Sequence, residues 1–187
     1  VTYGLFDLER LINTLWVVDQ ELVLLRKGIV AAEEYILARY FMYWQVYFHK
    51  TTRGQELLLR QVWRRATHLA EEGRLGGEGV SRHLYRLVQG EADLGTYLQV
   101  DDFDVMAAIK SWTDHPDPIL ADLSRRFVDR ALLKSVFRVA HEAIDLALVD
   151  DAAAILRGNG WDPDYYLLVD RTKDVAYDYY TQPNGDE

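Results

Sequence analysis

A chain of 187 residues is long enough for one compact domain that buries roughly 70% of the surface exposed by its unfolded form. The absence of cysteine excludes disulfides, thiolate metal sites and thiol chemistry, and fits a reducing compartment, so a cytoplasmic location is expected. Thirty acidic against 21 basic residues give a net charge of −9, a field that repels nucleic acid; the longest stretch free of charge, Tyr40 to His49, falls well short of the ~20 apolar residues that span a bilayer. Neither nucleic acid nor membrane is therefore an expected partner. No basic-then-apolar leader opens the chain, which begins on Val1 rather than Met, as expected of a fragment or processed product.

In chain order, "GLFDLERLINTL" places Asp7 as an N-cap ahead of Leu8, Leu11, Ile12 and Leu15 at helical spacing. "LWVVDQELVLL" is two β-prone apolar runs around Asp19-Gln20 and predicts a hairpin closed by Arg26-Lys27-Gly28. A helical period returns at Ile29, with Glu33 and Glu34 early and His49-Lys50 late, the charge order that the helix dipole favours. The next helix carries a capping-box pattern at Thr52 and Gln55 and a stop at Gly73, and Gly76, Gly77 and Gly79 mark a loop.

A short helix is predicted at about Ser81 to Val88, then one capped by Asp101 or Asp102 with Val105, Ala108, Ile109 and Trp112 on one face. "DHPDP" breaks it, and Pro118 suits the first turn of a helix holding Leu120, Leu123 and Phe127. "RALLKSVFR" predicts a strand, a helical region from about His141 ends at "GNG", and "WDPDYYLLVD" predicts a turn followed by a strand from about Tyr165 to Val169. The end, "QPNGDE", is predicted to fray. The expected class is mainly α (α+β), a helical region with a small β-hairpin and short strands, and no linker argues for a second domain within 1–187.

One stretch stands out. In "ARYFMYWQVYFHK", six aromatic residues share thirteen positions with Arg39. On a helical wheel Tyr40, Phe41, Tyr43, Trp44, Tyr47 and Phe48 fill an arc of roughly 160°, the pattern of a core or subunit interface. Positions three and four away from Arg39 are Tyr35, Ile36, Met42 and Tyr43, so no carboxylate lies at ion-pair spacing on its own helix. Arg39 then either snorkels or reaches a distant carboxylate, or it anchors an anion, with Tyr43 and Tyr47 as aromatic platforms one and two turns on, an arrangement suited to a nucleotide.

Other chemistry is thinly represented. The histidines, His49, His68, His83, His115 and His141, have no metal-binding spacing, and none precedes an aspartate. Asp101-Asp102-Asp104 and Asp162-Asp164 fit helix caps and proline turns better than a cation site. Gly76-Gly77-Glu78-Gly79 lacks the lysine of a phosphate loop, and no serine or histidine arrangement suggests nucleophilic catalysis.

"VTYGLFDLERL", "LLRKG", "ARYFMYWQVYFHKTTR", "YLQVDDFDVMAAIKSW", "DRALLK" and "WDPDYYLLVD" together resemble the HD-domain phosphohydrolases of the deoxynucleoside triphosphate triphosphohydrolase type, over Tyr3 to about Tyr180. The resemblance implies hydrolysis of a dNTP to a deoxynucleoside and inorganic triphosphate, by water activated on a divalent metal. That metal is held in the family by a His, a His-Asp pair and a later Asp upstream of this segment, so the chain looks like the helical part of such an enzyme, with no metal ligands and no catalysis alone.

Arg39 falls where the family grips the terminal phosphate, and Tyr47 where it has a tyrosine beside the nucleoside. Tyr43 matches a substrate-facing position that holds histidine in some members. Lys27, Arg130 and Lys134 match basic positions that contact an activating nucleotide at a subunit junction in regulated members, which implies a homo-oligomer; Arg26 stands where other members carry an acid. The alternative is a non-catalytic helical module for oligomerisation or nucleotide-regulated interaction, its aromatic helix forming the interface.

Overall fold

A computed structural model describes residues 5–136 and 145–170, which fall into two compact units, one reaching Thr52 and the other running from Arg53 to Asp170. The class is mainly α with one small hairpin, as expected. Among the described residues no helix is long and apolar enough to cross a membrane.

In the first unit, α1 (Leu8–Asn13) starts where Asp7 accepts the Arg10 N–H at 2.9 Å. Strands β1 (Leu15–Val18) and β2 (Glu21–Leu24) pair antiparallel, Leu15 opposite Leu24 and Val18 opposite Glu21. The connecting Asp19 and Gln20 both have positive φ, +50° and +66°, as a two-residue hairpin turn requires. A tight turn, Arg26–Gly28, leads into α2 (Ile29–Met42). Gly28 is needed for space: a Cβ there would sit 2.1 Å from the hydroxyl of buried Thr14.

The predicted helix from Ile29 to Lys50 is not continuous. After Met42 it opens into one wide turn, Tyr43–Tyr47, in which the Phe48 N–H donates to the Tyr43 carbonyl at 2.8 Å, five residues back. Its rings do not form a core among the described residues: Tyr40, Phe41, Trp44 and Tyr47 are exposed, and they pack on one another.

The second unit is built on α3 (Lys50–Glu71), whose first residues belong to the first unit. Thr52 lies inside α3 rather than capping it, while Gly73, at φ +69°, ends it as predicted: the Arg74 N–H reaches back to the Leu69 carbonyl at 2.7 Å. Helices α4 (Arg82–Val88), α5 (Leu94–Tyr97), α6 (Asp102–Trp112) and α7 (Pro118–Val128) follow. Of these α5, four residues capped by Asp93, is absent from the sequence-based expectation.

Leu58, Val62, Ala66 and Leu69 of α3 meet Leu84 and Val88, Ile109 and Trp112, and Leu120 and Leu123 in one core. Helices α8 (Leu146–Gly158) and α9 (Pro163–Tyr166) complete the unit.

Both strands predicted late in the chain are corrected. Residues 131–136 form no regular element; Leu132 and Leu133 pack against the core, with Leu132 lying against Gly54, and the backbone meets no strand. The rest of that predicted strand, and the start of the helix predicted from His141, lie outside the described residues. Tyr165 and Tyr166 belong to α9, whose cap Asp162 takes both their N–H groups on its carbonyl at 3.1 Å. A local cap and the proline at the first helical position decide that segment, and among the described residues no strand pairs with it.

Candidate functional site

The end of α2 brings Arg39, Tyr43 and Tyr47 together. One helical turn separates Arg39 from Tyr43; the guanidinium Nη2 donates to the phenol oxygen at 3.1 Å, and Cζ lies 5.2 Å from the ring centroid. A cation over a partly exposed ring is worth about 0.5–1 kcal/mol, enough to orient the guanidinium. Tyr47 stands against Tyr43 at 5.2 Å between centroids, and Phe48 at 5.6 Å on the same ring. Arg39 and Tyr47 are exposed and Tyr43 is half-buried.

The Tyr43 hydroxyl accepts from Arg39, so its own hydrogen is directed elsewhere. The pair can thus offer an anion two kinds of donor, forked N–H groups and a phenolic O–H, beside two aromatic faces. The wide turn that Phe48 closes was not foreseen from sequence, because a wheel drawn at a constant angle per residue has no place for it.

The basic positions lie apart in sequence and in unit. Lys27, in the first unit, gives its carbonyl to Arg10 Nη2 at 3.5 Å and lines an open cavity of about 390 Å³ with Asp7, Glu9, Arg10, Asn13 and Thr14. In the second unit, Arg130 is exposed at φ +54° just after α7, and Lys134 is exposed four residues further on.

A second polar cluster, unforeseen, sits in the second unit. Asp117 caps α7, taking the Leu120 N–H at 2.9 Å, and binds Arg65 through both carboxylate oxygens at 3.0 and 2.5 Å. Burial alone would raise the Asp117 pKa; the Arg65 hydrogen bond, the Leu120 N–H and the Arg65 charge outweigh it, and the group titrates below its ordinary 3.8. The Tyr165 hydroxyl joins through Arg65 Nη1 at 3.3 Å and His68 Nδ1 at 3.0 Å. His115 Nδ1 accepts the Asp117 N–H at 3.0 Å, which leaves Nε2 to donate to the Leu75 carbonyl at 2.9 Å. The only trace in sequence is "DHPDP", read as a helix breaker. With each carboxylate oxygen of Asp117 engaged, the cluster is a fastening between α3, α7 and α9.

Nearby, Asp122 accepts from Arg126 Nε at 2.7 Å and from the Tyr166 hydroxyl at 2.8 Å; burial and that bond raise the Tyr166 pKa.

The acidic pairs are caps, as expected. Asp101 takes the Phe103 and Asp104 N–H groups, Asp104 returns to the Asp101 N–H, and Asp162 takes that of Asp164. Among the described residues no group of three or more potential ligands could hold a metal ion. The divalent metal implied by the resemblance therefore finds no fitting ligand set here.

This helical architecture, with the aromatic strip at the end of its first long helix, is similar to that of HD-domain-associated phosphohydrolases. Residues 6–75, which include the strip, match the HD associated region. The chain is 35% identical over 187 residues to the protein YwfO of Bacillus subtilis (strain 168) and spans 42% of its length. It is also similar to the crystal structure of a phosphohydrolase from Bacteroides thetaiotaomicron, with a TM-score of 0.73 and 30% identity over 87% of this chain and 42% of that one.

Proposed function

We propose that this chain is the part of a dNTP triphosphohydrolase that holds the substrate: Arg39 grips the terminal phosphate, Tyr43 adds a hydroxyl donor, and Tyr47 lies beside the nucleoside. The single observation that carries this reading is the bonded and stacked pair Arg39–Tyr43, with Tyr47 on the same strip, inside the segment that matches the HD associated region. The products are a deoxynucleoside and inorganic triphosphate. A divalent metal supplies Lewis-acid activation in this chemistry, and since no described residue fits it, its ligands are assigned to the rest of the longer protein. The chain alone is then inactive. Lys27, Arg130 and Lys134 are proposed contacts for an activating nucleotide in a cytoplasmic homo-oligomer.

Replacing Arg39→Ala in the full-length protein tests the assignment. Loss of charge-assisted hydrogen bonds worth about 1.5–3 kcal/mol lowers kcat/KM for triphosphate release roughly ten- to hundredfold. An unaltered kcat/KM removes Arg39 from the site.

The exposure of Phe41 and Trp44, 47% and 61%, favours a second reading, a non-catalytic oligomerisation module whose rings are buried by another chain. It is distinguished by the same variant, which on that reading leaves nucleotide binding intact.

A further inference from the structure

In an unbroken α-helix, residues five apart are separated by about 140° around the axis, and rings at Tyr43 and Phe48 would point away from each other. The wide turn cancels that angle. Its closing hydrogen bond runs from the Phe48 N–H to the Tyr43 carbonyl, and the same two residues place their rings 5.6 Å apart. Phe48 also meets the edge of Trp44 at 6.5 Å and is half-buried where Trp44 and Tyr47 are exposed. Tyr43 is thus held by two rings, Tyr47 and Phe48, while Arg39 lies over it. Wide turns of this kind are frequent where a helix must aim a side chain at a ligand.

Resting on the reading of Arg39 and Tyr43 as the phosphate-holding pair, we propose that Phe48 is a positioning residue that keeps the Tyr43 phenol in register with the Arg39 guanidinium for a polyphosphate. Phe48 closes the turn through its backbone and fixes the Tyr43 ring through its own, so both donors meet the same anion. Losing the ring of Phe48 frees Tyr43 to change rotamer and separates the pair, and binding of the phosphate tail weakens before the chemical step is touched.

The test uses the full-length protein, with inorganic tripolyphosphate as the binding probe and triphosphate release from a dNTP for kcat and KM. An aromatic contact of this kind corresponds to about three- to tenfold in an equilibrium constant. Phe48→Leu is expected to raise both the Kd for tripolyphosphate and KM by about that factor, with kcat changed less than about twofold, and Phe48→Tyr, which keeps a ring, to restore both. If Arg39→Ala weakens tripolyphosphate binding and Phe48→Leu does not, the positioning role is wrong and the site stands. If neither variant weakens it, the site reading falls and the positioning role with it. Far-UV circular dichroism and a melting curve accompany each variant; where Phe48→Leu fails to fold, Phe48→Met, apolar, of similar volume and without a ring, carries the same expected result.

Discussion

The two units handle the same residue types in opposite ways. In the second, Leu58, Val62, Leu69, Ile109, Leu120 and Leu123 are sealed in a core, and Arg65, Arg53 and Arg126 each bind a carboxylate, Asp117, Asp170 and Asp122. In the first, Ala31 is the only buried apolar side chain among the described residues, while Trp16 and Leu22 are 63% and 70% exposed. A protein gains little stability from an apolar side chain left in water. The second unit is thus organised for its own stability, and the described part of the first leaves apolar surface exposed for a ligand or for more polypeptide.

The sharpest way to break that contrast is to open the fastening of the second unit. Asp117→Ala removes the α7 cap and strands Arg65 without its bidentate partner, at an expected cost of about 3–5 kcal/mol in denaturant unfolding. A loss under about 1 kcal/mol would mean that the pair does not organise the core. The same carboxylate sets a pH dependence. Its folded pKa lies below the 3.8 of the free side chain, so its stabilisation is fully present above that value and is lost as the pH falls through the lower, folded value. Acid unfolding of the wild type therefore gains a step below about pH 4 that Asp117→Asn lacks.

A smaller effect, confined to the first unit, is expected from Gly28→Ala. The added methyl meets the Thr14 hydroxyl at 2.1 Å and Leu24 Cδ1 at 2.9 Å, so α1 or the hairpin must shift, at about 1–3 kcal/mol. Amide exchange should rise from α1 through α2 and stay unchanged across α4, α6 and α7. Equal loss of protection in α6 and α7 would erase the difference between the units.

What was legible in the sequence is what neighbours along the chain decide. Asp7 starts a helix and Gly73 stops one where predicted, and of the two candidates Asp101 and Asp102 the first is the cap, because a cap needs only the next few backbone groups. Arg39 and Tyr43 could be paired from spacing alone, being one turn apart. The strand predicted over Tyr165 to Val169 failed because an apolar run does not say whether a pairing strand exists. Arg65 and Asp117 lie 52 positions apart, and nothing in either neighbourhood announces the other. The wide turn at Tyr43 was hidden for a third reason: its hydrogen-bond reach differs from the constant helical period on which the wheel depends.

The smallest effect tests whether the first unit carries uncompensated local strain. Asp19 and Gln20 hold φ of +50° and +66°, a region that costs a residue with a Cβ about 1–2 kcal/mol and glycine nothing. Gln20→Gly relieves that cost and adds freedom to the unfolded chain worth about 0.4–1 kcal/mol, so the net gain is small, about 0.5 kcal/mol. It should appear as slower amide exchange within Leu15–Val18 and Glu21–Leu24. The gain is kept small by the hairpin itself: with Trp16, Val17 and Leu22 in solvent, a better turn tightens the ladder without burying any further surface. Faster exchange in Gln20→Gly would mean that the glutamine side chain, and not the turn geometry, holds the two strands in register.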